Sequence, residues 1–177
     1  MDIKERAAYK IGHPIESPEQ APYRVQTRIM DADWKERLDA KLEQRCSEDP
    51  NGRYEELADR LLSFGGEHVC FPYIEEDMDK ILSRGQLWMG DKVDLKKGEP
   101  CHCHSNSAYL WDANRDKTTI ATGYALTEDG LWRQHSWVIH LKPKQNRVVE
   151  TTTKRLIYFG FAMTEEECEE FLYNNSL

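Results

Sequence analysis

The segment Gly98-Glu99-Pro100-Cys101-His102-Cys103-His104-Ser105-Asn106 sets two thiols and two imidazoles within a few residues of one another. A thiol attacks carbonyl carbon as the thiolate, which a helix N-terminus and a neighbouring imidazole both favour. Pro100 keeps the lead-in extended, and Cys103 falls at the predicted start of a helix while Cys101 remains in the approach to it. Cys103 is therefore the candidate nucleophile. Exposed amides of the first helical turn, with Asn106 as a further donor, could hold an oxyanion.

A nucleophilic thiol needs a base and the base needs an orienting acid. A strand predicted over 134–141 offers two histidines, which alternation sends to opposite faces. Gln134, Ser136, Val138 and His140 share one face, and His135 shares the other with Trp137, Ile139 and Leu141. His135 is the inward candidate for the general base. The next predicted strand carries Glu150 on a face with Val148 and Thr152, where a carboxylate could fix the imidazole. Trp137, beside His135 on its face, is a candidate for substrate binding, and Trp88, Trp111 and Trp132 suit a core.

These positions need elements to hold them. Residues 1–30 carry Pro14, Pro18 and Pro22 without a steady period and read as an extended arm. Helices are predicted from Asp31 on the spacing of Trp34, Leu38 and Leu42, and from Tyr54 on Leu57, Ala58, Leu61 and Leu62. A third is predicted over 74–84, with Ile74, Met78, Ile81 and Leu82 inward and Gly85 as a left-handed stop. After the helix opened by Cys103 come strands over 118–126, 134–141, 147–153 and 157–162, with turns at Glu128-Asp129-Gly130 and over 143–146. Thr164 and Glu167 form a capping box that opens a closing helix. The expected fold class is α+β: one domain over 31–177, with a helical part at 31–97 packed on a small antiparallel sheet within 98–177.

At 177 residues the chain fits one domain with a substantial core. Its 24 Lys and Arg against 32 Asp and Glu leave a net charge of -8, which disfavours nucleic acid and anionic membrane surfaces as partners. No run approaches the ~18 apolar residues of a membrane span, and the charged first residues do not read as a secretory signal, so a cytoplasmic location is expected. Five cysteines, an odd and scattered set, read as thiols in a reducing compartment.

The order of parts resembles the transglutaminase-like and papain-like cysteine superfamily. Cys103 opens a helix, Gly123-Tyr124 lies in the first strand, His135-Ser136-Trp137-Val138 in the second and Val149-Glu150-Thr151-Thr152 in the third. The resemblance covers roughly 98–153, and it implies Cys103 as nucleophile, His135 as base and Glu150 as orienting acid. Asp is the commoner third member in the transglutaminase-like branch, so Glu150 departs from that pattern. The function expected is thiol-dependent acyl transfer on a protein, peptide or small amide or ester, without a cofactor. Plainer roles compete: His135 as a core histidine, and Glu150 paired with Arg133 or Arg155 at the surface. One alternative is a zinc site built from Cys101, Cys103 and His104, and another is a non-enzymatic module in which the acidic, helical first half binds protein.

Overall fold

The computed structural model describes residues 32–142 and 145–176, so the arm expected over 1–30 and the Pro143-Lys144 part of one expected turn lie outside the described residues. The fold is α+β. Helix α1 (Ala32–Glu48) and helix α2 (Arg53–Ser63) are separated by Gly52, whose φ of 67° turns the chain sharply between them. Tyr54, Leu57, Ala58 and Leu61 bury one stripe of α2, as their spacing predicts. Trp34 departs from expectation at 52% exposure, because α1 meets the core through Leu42 and Cys46, farther along the helix.

Helix α3 (Met78–Arg84) starts four residues later than expected, leaving Ile74 at 69% exposure. Gly85 does end α3, but with φ -57° and ψ 134° rather than in the left-handed region. Glycine is required there for space: a Cβ would lie 2.3 Å from the Ile81 carbonyl oxygen.

The expected antiparallel strands are present as β4 (Thr118–Leu126), β5 (Leu131–His140), β6 (Arg147–Glu150) and β7 (Ile157–Ala162), and the first half adds β1 (His68–Cys70), β2 (Gln86–Met89) and β3 (Asp94–Leu95). The sheet is thus larger than expected and mixed. Its order is β2-β7-β4-β5-β6-β3, with β1 parallel to β5 and β3 parallel to β6. Strands β2 and β3 sit at opposite ends of that order, yet only residues 90–93 join them. So short a link obliges the sheet to curl and bring its edges together.

Curling gives the sheet two buried faces. One packs on the helices through a core that includes Leu57, Leu61, Ile81, Tyr124 and Trp132, with Trp111 from helix α4 (Cys103–Asp112) and Cys168 from helix α5 (Glu165–Asn175). The concave face encloses Trp88, Val93, Ala121, Ala125, Trp137, Ile139, Val148 and Tyr158. Thr164 and Glu167 cap α5 reciprocally, and Glu167 also takes both arms of Arg84, tying α5 to α3. Among the described residues no helix is long and apolar enough to cross a membrane.

Candidate active site

Strand β5 is paired with β4 along one edge, from Trp132 to His140. Its other edge carries β1 opposite residues 131–133 and β6 opposite residues 138–140. Residues 134–137 are left without a strand on that side, so their outward N–H groups need another partner. The N-terminus of α4 fills the gap and sets the Cys103 sulfur near the His135 imidazole and the Ser136 N–H, both of which act on it to favour the thiolate. A break in the sheet thus seats a helix start against a strand.

His135 is 3% exposed and points into the concave face, as alternation along β5 requires. Its ring stacks on Trp137 at 6.2 Å and an interplanar angle of 23°. Its Nε2 lies 2.8 Å from Glu150 Oε2, which leaves Nδ1 as the nitrogen for the thiol.

Glu150 is wholly buried at the end of β6, and every polar contact it makes favours the carboxylate. Oε1 accepts from the Thr151 and Thr152 amides at 2.8 and 2.7 Å and from the Thr152 hydroxyl at 2.9 Å. Oε2 accepts from the Tyr158 hydroxyl at 3.0 Å as well as from His135. A carboxylate with this many donors keeps its charge despite burial. Arg133 pairs instead with Asp129, at 2.7 Å, so the surface ion pair considered for Glu150 is not made with it.

These contacts set the protonation states. Burial pushes the Glu150 carboxyl up, but the His135 hydrogen bond and charge and the Thr152 donors outweigh it and hold it at about 2. Burial pushes the His135 imidazole down, and its bonds to Cys103 and Glu150 reverse the sign and raise it to about 8. For Cys103, burial works against the thiolate, while the bond and charge of His135 and the Ser136 amide favour it more. The thiol is held below its ordinary value. Both shifts run in the direction of a thiolate facing an imidazolium.

Asn106, expected as an oxyanion donor, is committed elsewhere. Its amide oxygen accepts from the Glu99 N–H at 3.1 Å and its NH2 donates to the Glu99 carbonyl at 2.8 Å. It pins the lead-in to α4 instead. Gly98 makes room for this clamp, since a Cβ there would sit 2.4 Å from Asn106 Oδ1. The oxyanion donors that remain are the free N–H groups of the first turn of α4. Trp137, expected as a substrate contact, is 0% exposed and packs edge-on to Trp88 at 5.5 Å and against Tyr158 at 5.1 Å. It is the floor under His135.

The cysteine and histidine run divides between several surroundings. Cys101 is exposed with a left-handed φ of 63°, unusual outside glycine. His102 Nδ1 contacts the Pro100 carbonyl at 2.8 Å. His104 turns to the helix-side face, where Nδ1 lies 2.7 Å from Ser136 Oγ and the ring meets Phe171 edge-on. Ser136 donates to Thr122 Oγ1 at 2.9 Å, so His104 supplies the proton to Ser136. Cys101, Cys103 and His104 do not converge, and among the described residues no group of three His, Cys, Asp or Glu is placed to hold a metal ion.

Beside the thiol opens a cavity of about 360 Å3, lined by Cys103 and His135 together with Lys97, Arg133, Gln134, Thr152 and Arg155. Tyr158 and the Ser136 amide were not foreseen from sequence. Tyr158 lies on the strand 157–162, and only the pairing order of that strand brings its hydroxyl to Glu150. No family model, no curated protein and no solved structure matches the chain.

Proposed function

We propose that the protein is a thiol-dependent acyl-transfer enzyme acting on an amide or ester, with Cys103 as nucleophile, His135 as general acid and base, and Glu150 as the group that orients the imidazole. The observation that carries this reading is the buried His135–Glu150 contact with the Cys103 thiol on the other side of the ring. A core histidine satisfied by a carbonyl needs neither an ionised carboxylate nor a thiol at a helix start.

The sulfur of Cys103 bonds to the carbonyl carbon, and the carbonyl oxygen takes up the displaced electron pair beside the first-turn amides of α4. Collapse of that intermediate breaks the bond to nitrogen or oxygen, and the leaving group departs with the proton from His135 Nδ1. Water, or an amine, then gives its proton back to His135 as it attacks the thioester and frees the sulfur. Glu150 stays ionised throughout and holds the ring so that Nδ1 faces the sulfur. Hydrolysis and transfer share these steps and differ only in the acceptor.

The test is to trap the acyl-enzyme. Incubation with activated acyl esters, followed by intact and peptide mass spectrometry, should place one acyl group on Cys103, with release accelerated by hydroxylamine. Cys103→Ala should carry none, and His135→Ala should acylate at least a hundredfold more slowly. Acylation spread over exposed thiols such as Cys101, at similar rates in all three proteins, would refute the reading.

A further inference from the structure

The charge of the cavity wall runs opposite to that of the chain. The protein carries a net charge of -8, yet the lining contributed by Lys97, Arg133 and Arg155 is cationic and includes no Asp or Glu. Such a local reversal concentrates anions at one place on a surface that otherwise repels them.

The three cations are not equivalent. Arg133 is already neutralised by Asp129, which takes Nη2 at 2.7 Å and Nη1 at 2.9 Å. Lys97 is exposed, where solvent and salt weaken its field. Arg155 has no carboxylate partner among the described residues, and its Nε is sealed from solvent without an acceptor. Arg155 is therefore the cation of this lining that is neither neutralised by a carboxylate nor fully exposed.

Arg155 is also held in place by the residues that hold the triad. Its backbone N–H donates to the Tyr158 hydroxyl at 3.1 Å, and that hydroxyl donates to Glu150. Its carbonyl oxygen lies directly over Gly90, where a Cβ would come within 1.8 Å, so the root of the side chain is wedged against the segment that links β2 and β3. A guanidinium that no carboxylate of the protein occupies can take a planar carboxylate through two parallel N–H donors at its open end.

Resting on the acyl-transfer reading, we infer that Arg155 is the specificity residue of this cavity and that the substrate is an amide or ester bearing a carboxylate close to its scissile carbonyl. One unpaired guanidinium balances the single charge of a carboxylate, and a dianionic phosphate would leave charge over. At about 360 Å3 the cavity lies at the low end of the ~300–1,000 Å3 range of small-molecule sites, which suits one acidic residue or a compound of similar size.

Matched thiol reagents test this without knowledge of the natural substrate. Iodoacetylglycine and iodoacetyl-β-alanine, each against its neutral amide, are reacted with the full chain carrying Cys101→Ser, and modification of Cys103 is followed by peptide mass spectrometry. Each anion-to-neutral rate ratio is divided by the same ratio for glutathione. At least one pair should favour the anion by tenfold or more. Arg155→Gln should abolish that preference while leaving the neutral rate within threefold, and Arg155→Lys should retain part of it. A ratio near one in the parent chain, or a preference that survives Arg155→Gln, would overturn the assignment. Slow reaction of Cys103 with both members of a pair would count against the acyl-transfer reading itself, while the ratio would still decide for or against Arg155.

Discussion

Glu150 Oε2 receives two hydrogen bonds from two different strands, one from His135 Nε2 at 2.8 Å and one from the Tyr158 hydroxyl at 3.0 Å. The first bond sets which imidazole nitrogen faces Cys103, and the second anchors the carboxylate to a different strand. With three further donors on Oε1, the acid is fixed on β6 independently of the histidine it orients. Rigid support of this kind is what a positioned imidazole requires.

The pair makes stability depend on pH in a defined sense. His135 is raised to about 8 from an ordinary 6.5, so its contribution is complete below about 6.5 and is lost as pH rises through about 8. Glu150 is lowered to about 2 from an ordinary 4.5, so its contribution is complete above about 4.5 and is lost as pH falls toward 2. The difference in unfolding free energy between the parent chain and Glu150→Gln should therefore be largest between pH 4.5 and 6.5. Its size should approach the ~3–5 kcal/mol of a broken buried pair. Denaturant titrations across that range check it, and a flat difference would refute it. The His135 ring resonances should also titrate at lower pH in Glu150→Gln.

Tyr158→Phe removes one donor to Glu150 and the acceptor for the Arg155 N–H while conserving the ring that packs on Trp137. Leaving that partly buried N–H unpaired, together with the lost bond to Glu150, should cost about 1–3 kcal/mol. Chemical denaturation should register that loss, and the pH at which Cys103 becomes reactive should rise, because a less firmly held carboxylate stabilises the imidazolium less. Unchanged stability and an unchanged profile would mean that the hydroxyl is not engaged with Glu150.

Asn106→Ala separates an oxyanion donor from a structural clamp. Loss of an oxyanion-hole donor lowers kcat by ~10²–10³. The Asn106 amide is spent on the Glu99 backbone, so the variant should instead lose about 1–2 kcal/mol of stability and less than tenfold in rate. A hundredfold loss in kcat at unchanged stability would return Asn106 to the oxyanion role.

Cys101→Gly distinguishes the two thiols. Cys101 occupies a left-handed conformation that costs an L-residue roughly 1–2 kcal/mol and glycine little. The substitution should raise the melting temperature slightly and leave the alkylation rate of Cys103 within threefold. Loss of that reactivity would show that Cys101 takes part in the chemistry.

Much of this arrangement is legible in the sequence because strand alternation is strict. Two histidines five residues apart on one strand must face opposite ways, and a lone Glu among β-branched residues must meet a partner. The strands β1, β2 and β3 are hidden because two to four residues carry no period, and their place follows from pairing with strands far along the chain. Tyr158 is hidden for the same reason. Asn106 misleads because a side-chain amide at a helix start suits an oxyanion and a loop clamp equally well, and only Gly98, which clears space for the amide, hints at the second. Trp34 and Ile74 show helical spacing without burial, since an amphipathic stripe can run beyond the surface it packs on.

The proposal that sulfur, imidazole and carboxylate act as one unit is tested most directly by the rate of Cys103 alkylation with iodoacetamide as a function of pH, in the parent chain and in His135→Ala. The parent should show a reactive thiolate well below the ~8.5 of a free cysteine. His135→Ala should lose that acid limb and titrate at or above the free value, because burial and the Glu150 charge then oppose the thiolate and only the Ser136 amide still favours it. A parent profile centred at 8.5 or higher, unchanged by removal of His135, would contradict the proposed chemistry.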